Sequence, residues 1–301
     1  MILNDRNDNR GVPISRQASI DPMTATLHEV TFGPGCPDTA CDALAARTGL
    51  SKSSIKQAMI KGAVWLRRSE SKPRRLRKAT TTLKPGDTLQ LYYDPAILAV
   101  SPPIADCFRD LVHYTIWFKP AGLLTQGTRY GDHCSLARQV EQYFKMKRNV
   151  FLVHRIDREA SGLVILAHNQ PAAAKISSLF RKNRIEKEYA VWVRGDLTQS
   201  PSDGRIDLDL DGKTALTRFH IIRYDPDKDQ TLVHAQIHTG RLHQIRRHFS
   251  HIGFPVMGDP RYGRGNHCPE GLQLVAFRIA LGCPFGNGRI EAKINVKGFE
   301  T

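Results

Sequence analysis

Apolar and polar positions fall into two stretches with different rhythms. In the front stretch, His28–Phe32 reads as a short strand. Asp42–Gly49 and Ser53–Gly62 read as two short helices, each opening on a capping side chain and closing on glycine. Ala63–Leu66 and a basic loop follow, then a Pro-Gly-Asp turn at 85–87 that feeds an alternating strand ending at Tyr92. Pro95, Pro102 and Pro103 mark a linker, set at 96–108. Beyond it, Ile116–Leu124 reads as a strand closed by a Pro/Gly turn, and 134–147 places Leu136, Val140, Tyr143 and Phe144 on one helical face. Further strands are expected near 150–156, 162–168, 187–194, 215–224 and 230–238, with a helix at 171–183. Many strands with a few inserted helices predict an α+β fold: a mixed, largely antiparallel sheet with flanking helices, preceded by a small α/β domain. The chain then divides into a disordered tail at 1–24, a front domain at 25–95, the linker, and a main domain at 109–301, with no internal repeat.

Charge changes this picture. The 301 residues carry a formal +15, which points to a polyanionic partner. Twelve Lys/Arg between Arg47 and Lys84 face a single acid, Glu70. A solvated charged face seldom holds one acid in nearly forty residues, so nucleic acid is favoured. Lys56, Lys61, Arg67, Arg68, Arg74 and Arg75 are its candidate contacts. Six scattered cysteines (36, 41, 107, 134, 268, 283) form no Cys-x-x-Cys pair, which argues against a zinc ribbon or a disulfide framework and suits a reducing cytosol. No apolar stretch approaches a membrane span and no signal-peptide core opens the chain, so a soluble cytoplasmic monomer is expected.

The most informative stretch is Val150–Ala167, Val-Phe-Leu-Val-His-Arg-Ile-Asp-Arg-Glu-Ala-Ser-Gly-Leu-Val-Ile-Leu-Ala. An apolar run delivers Asp157, wedged between Arg155 and Arg158, to a turn that a second apolar run leaves. Burying such a carboxylate is costly unless a positive group holds it ionised. The segment 237–248, Ile-His-Thr-Gly-Arg-Leu-His-Gln-Ile-Arg-Arg-His, offers one. Read as a helix, it buries Leu242, Ile245, Phe249 and Ile252. Arg246 then lies roughly 70° from the centre of that stripe and Arg247 nearly opposite it, at about 100° per residue. Arg246 can reach inward, and Asp157 is its natural partner.

His154-Arg-Ile-Asp157, followed by Ser161-Gly162, resembles the catalytic motif of the RluA-type pseudouridine synthases, with Ile156 for the usual Leu and Ala160 for Thr. Thr239-Gly-Arg-Leu-His-Gln-Ile-Arg246, with Gly253-x-Pro255-Val-x-Gly258-Asp259-x-x-Tyr262-Gly263 behind it, resembles the third motif of the same family. Lys119-Pro-Ala-Gly122 and Lys187-Glu-Tyr189 match as well, so the resemblance spans roughly 110–284. It implies Asp157 as nucleophile, Arg246 as its ion-pair partner, and Tyr189 stacked on the target base. Arg155 helps fill the space that the base leaves, and Arg241, His243 and Lys187 contact RNA. Residues 38–93 resemble the S-four-type RNA-binding domain through two short helices, a Lys-Gly-x-Val element and the Pro-Gly-Asp turn. The arginine-packed loop 67–78 replaces the usual short Asn-Gly turn there.

The implied reaction detaches uracil from ribose carbon 1′, turns it, and rejoins it through carbon 5. It needs no cofactor or metal, and neither a Walker A nor a dinucleotide fingerprint is present. Asp157 could attack carbon 1′ or carbon 6, or assist proton loss at carbon 2′. The target uridine must be flipped out of the RNA. Ribosomal RNA is favoured over transfer RNA because of the front domain. Taken alone, Asp157 would read as a structural ion pair, Tyr189 as a strand aromatic beside Val191 and Val193, Arg155 as a phosphate contact, and Lys119 as a surface lysine. His238, His243, His248 and His251 lack metal-ligand spacing, and on the helix the last three fan away from the core. A glycoside hydrolase would need a second carboxylate, for which only Glu159 is near. A purely RNA-binding protein would leave Asp157 and Arg246 unexplained.

Overall fold

Two sheets with separate hydrophobic cores divide the chain. The computed structural model describes residues 25–33, 35, 39–200, 203–286 and 288–296, so the tail expected at 1–24 and Cys36 lie outside the described residues. The first sheet is built from β1 (Thr26–Thr31), β2 (Val64–Arg67), β3 (Arg74–Arg75) and β4 (Thr88–Tyr93), in the order β1-β4-β2-β3. Helices α1 (Ala40–Thr48) and α2 (Lys52–Ile60) pack on it. Thr39 and Ser51 cap them by accepting from the backbone N–H of Asp42 and Ser54, so both helices begin before the residues expected. Leu44, Ile55, Met59, Leu89 and Leu91 close this core.

The proline-marked linker holds a helical turn, α3 (Pro95–Ala99). Asp94 caps it, and Pro95 at its first position lacks only an N–H that would have no partner there.

The main sheet begins with β5 (Asp106–Asp110) and β6 (Tyr114–Lys119). After α4 (Leu136–Tyr143) come β7 (Phe151–Leu152), β8 (Ser161–Ala167), α5 (Gln170–Arg181) and β9 (Ile185–Arg194). The chain continues through β10 (Arg205–Asp207), β11 (Leu216–Asp225), β12 (Gln230–Ile237), α6 (Gln244–His251), β13 (Leu274–Gly282) and β14 (Arg289–Lys293). The strand order is β10-β11-β12-β9-β13-β8-β6-β5, with β14 beside β13 and β7 beside β8. Among the described strands only β13 and β8 run parallel, so this is the mixed, largely antiparallel α+β sheet expected. Leu136 and Val140 of α4 and Ile245 and Phe249 of α6 pack with Val164, Val191 and Val233 in one core. Ala172 and Ile176 of α5 pack with Ile116, Leu163 and Ile165 in another.

The β8–β13 seam positions the site. It comprises two pairs, Val275 with Ser161 and Ala276 with Gly162. Gly162 has φ 125°, and a Cβ there would lie 2.3 Å from the Ala276 carbonyl oxygen, so only glycine lets the strands meet. The strand expected at 150–156 ends at Leu152, because the Ile165 N–H donates to His154 Nε2 (2.8 Å) where a strand carbonyl would otherwise accept. The chain is thereby freed from the sheet just before Asp157.

Candidate active site

Asp157 lies on the loop between β7 and β8, and the flanking backbone is pinned from below. Thr125 Oγ1 donates to the Ile156 carbonyl (2.8 Å). Lys119, expected at the surface, is instead fully buried, and its ammonium donates to the carbonyls of Pro120, Leu123 and Arg158. Burial pushes the Lys119 ammonium down to about 8, against the opposing pull of Asp157 and Glu159. Asp157 itself keeps 17 % of its side chain exposed, enough for a ligand to reach it.

Arg246 is brought to Asp157 as expected, with Nη1 3.2 Å from Asp157 Oδ2. Its main partner differs. Nε and Nη2 donate to the two oxygens of Asp259 at 2.7 and 2.8 Å, and Glu159 lies 3.5 Å from Nη1. Asp259 is fully buried and also accepts from the N–H groups of Arg261 and Tyr262. Burial disfavours the charge on Arg246, but Asp259 and Asp157 outweigh it and hold the guanidinium above its ordinary value. Asp259 and Tyr262 were visible in the sequence as Gly258-Asp259-x-x-Tyr262-Gly263, yet nothing local shows that this turn folds back onto Arg246.

α6 starts at Gln244, not at Leu242. Gln244 Oε1 accepts from Thr239 Oγ1 and the Arg241 N–H, while its amide donates to the Leu216 carbonyl, which fixes the preceding turn. His243 then takes a left-handed backbone (φ 52°), so Leu242 leaves the helical stripe and stays exposed. His243 Nε2 lies 3.8 Å from Asp157 Oδ1, and Nδ1 lies 3.0 Å from the Tyr262 hydroxyl. Burial lowers the affinity of this imidazole for a proton, although Asp157 opposes the shift. His248 is also buried, against the Leu208 carbonyl, and does not fan outward as expected.

A pocket of about 460 Å³ opens over Asp157, in the size range of small-molecule sites. Tyr189, Phe180, Ile237, Leu242 and Leu274 make its apolar wall, with Arg155, Lys187, Arg241 and His243 around it. Tyr189 shares its sheet face with Val191 and Val193 in the core and also faces the pocket, so the two readings of it are compatible. Burial, and then the charge of Asp157, keep its phenol protonated well above the ordinary range. Burial also lowers the Lys187 ammonium. A second hollow that also reaches Asp157 is lined by Arg155, Arg158, Arg261 and residues 126–128. Arg158 and Arg261 had no assigned role in the sequence reading.

The front-domain cations divide. Lys56, Arg68 and Arg74 are exposed, although Arg68 lies 3.5 Å from Asp87. Arg67 leans on Thr88, Lys61 is bonded to the Leu98 carbonyl, and Arg75 is committed to the main unit. Among the described residues, no cluster of three His, Cys, Asp or Glu could hold a metal, and no helix is long and apolar enough to cross a membrane.

The mixed sheet thus presents Asp157, salt-bridged to the buried Arg246, at the mouth of a partly apolar pocket. The family described as RNA pseudouridylate synthase matches residues 113–251. A protein of Aquifex aeolicus described as an uncharacterized RNA pseudouridine synthase is 30% identical over 77% of this chain and 81% of its own length. Another, YlyB of Bacillus subtilis, is 38% identical over 58% of each chain. The structure of human RNA Pseudouridylate Synthase Domain Containing 1 shares the fold, with a TM-score of 0.54 and 21% identity over 65% of this chain and 86% of that one. The chain belongs to the RNA pseudouridine synthase family, of the RluA type that its motifs resemble.

Proposed function

We propose that this isomerase uses Asp157 as its nucleophile on a uridine everted from ribosomal RNA. The carrying observation is the Asp157–Arg246 ion pair, open on one side to the pocket that Tyr189 walls. A uracil entering there would lie against the Tyr189 ring, a contact worth about 1–3 kcal/mol. Asp157 would attack carbon 1′ or carbon 6, or assist proton loss at carbon 2′. Arg246 stabilises the carboxylate once the base excludes water. Arg155 would occupy the gap left in the RNA. Arg158 and Arg261, in the adjoining hollow, would meet backbone phosphates next to the flipped nucleotide.

The front unit, set at residues 25–95 ahead of a catalytic domain at 109–301, would serve as an S-four-type RNA-binding module. Its exposed Lys56, Arg68 and Arg74 support that role. Relatives include a ribosomal large subunit pseudouridine synthase D of Zymomonas mobilis, 35% identical over 42% of this chain, and a tRNA pseudouridine synthase C of Haemophilus ducreyi, 29% identical over 48%. The basic front unit favours ribosomal RNA. The five described cysteines are all free, which suits the cytoplasm.

Release of tritium from RNA labelled at uracil carbon 5 tests the chemistry. Wild type should release the label, and Asp157→Asn should release none while still binding RNA. Equal release by both proteins removes Asp157 from the reaction. Binding without release by wild type would leave only an RNA-binding protein.

A further inference from the structure

The basic run of the front unit does two jobs, and one of them is internal. Arg75 and Arg77 converge on Asp132, at 3.1 and 2.5 Å from its Oδ2. Arg75 also donates to the Thr128 carbonyl (2.6 Å) and lies 4.3 Å over the Trp65 ring. Trp65 Nε1 donates to the Arg129 carbonyl (3.1 Å), and the Asp132 N–H donates to the Lys61 carbonyl (3.0 Å). In return, Arg129 reaches across to the Tyr92 hydroxyl (2.8 Å). The fit is close. A Cβ on Gly62, at φ 81°, would lie 2.4 Å from Asp132 Oδ1. Asp132 keeps only 14 % of its side chain exposed, and both arginines meet it at the same oxygen.

The clamped segment, 124–132, is the same one that touches the Asp157 loop. Its residues 126–128 floor the hollow beside Asp157 and also a second groove that runs to Trp65 and Arg75. Its Thr125 is buried and bonded to both the carbonyl and the N–H of Ile156, next to the nucleophile. A chain of direct contacts therefore links the front unit to Asp157.

We infer that Arg75, Arg77 and Trp65 are positioning residues: through Asp132 and segment 124–132 they set the Asp157 loop, so the front unit contributes to turnover as well as to RNA capture. This rests on the proposed role of Asp157. A cation that only binds RNA changes KM, whereas a positioning residue changes kcat at saturating RNA.

The test uses full-length Asp132→Ala and Trp65→Phe. Asp132→Ala should lower kcat about tenfold or more, and Trp65→Phe, which loses one hydrogen bond, about threefold, with KM moving less than about threefold in each. Hydrogen exchange without RNA should quicken in 124–132 and also in 153–160. A rise in KM at constant kcat, or no change in either, overturns the clamp. So does faster exchange confined to 124–132. If Asp132→Ala does not fold, Trp65→Phe decides by the same criteria. The exchange readout needs no catalysis, so a wild type that releases no tritium would count against the nucleophile role and leave the clamp to be judged by exchange.

Discussion

Arg246 turns its two-pronged face to Asp259 and offers Asp157 a single nitrogen: two bonds of 2.7 and 2.8 Å against one of 3.2 Å. On the proposed chemistry, the arrangement separates holding from reacting. Asp259, fully buried, anchors the guanidinium, and Asp157 keeps oxygen lone pairs free for substrate. Asp259→Ala would strand a buried charge and should cost about 3–5 kcal/mol of stability, with at least a hundredfold loss of rate as Arg246 drifts. Asp157→Asn keeps an oxygen facing Nη1 and should stay within about 1 kcal/mol of wild type while losing all turnover. Urea denaturation and tritium release measure the two effects. Equal stability losses in both variants would refute this division of labour.

Tyr189 should act through its face. No partner for its hydroxyl appears among the described residues, and the ring lies between core and pocket. Tyr189→Phe should therefore bind RNA nearly as wild type does. Tyr189→Leu should lose about 1–3 kcal/mol, or roughly five- to 150-fold in affinity. If Phe were as damaging as Leu, the phenol and not the ring would be the working group.

Much of this was legible in sequence because the chemistry is clustered in short motifs. Asp157, Arg246 and Tyr189 come from three separate strings, and the structure brings all three to one pocket. What escaped depends on where turns fold back. Lys119 looked like a surface lysine because nothing local shows that three carbonyls close over its ammonium. The helix of Arg246 was extended by two residues because periodicity is blind to the left-handed turn at His243. β13 and β14 were missed as strands. Arg278, just past the point where β13 shifts register against β9 at Phe277, interrupts the apolar run. The basic run looked uniform, and only tertiary structure separates Arg75, bound to Asp132, from exposed Arg74.

That separation is measurable as a salt dependence. Removing one cation that neutralises a phosphate should reduce the slope of log affinity against log salt by about one. Simultaneous replacement of Lys56, Arg68 and Arg74 by alanine should flatten it by about two to three. Arg75→Ala should leave the slope nearly unchanged, since that guanidinium is occupied within the protein. A slope altered as much by Arg75→Ala as by one of the exposed cations would return Arg75 to the RNA surface.

Acid should destabilise the site through His154. Its Nε2 accepts from the Ile165 N–H, and burial pushes its imidazole down to about 3. The unfolded chain protonates this residue near its ordinary value of about 6.5. Between those values the unfolded state binds more protons, so stability present above pH 6.5 drains away as pH falls towards 3. At pH 5 the loss from this residue should be on the order of 1–2 kcal/mol. His154→Gln keeps an oxygen for the Ile165 N–H and cannot titrate. Other buried histidines remain in both proteins, so the informative quantity is the difference between them. Urea unfolding at pH 7.5 and pH 5 should show the variant losing less stability than wild type by that margin. Parallel losses would mean that His154 already takes up its proton in the fold.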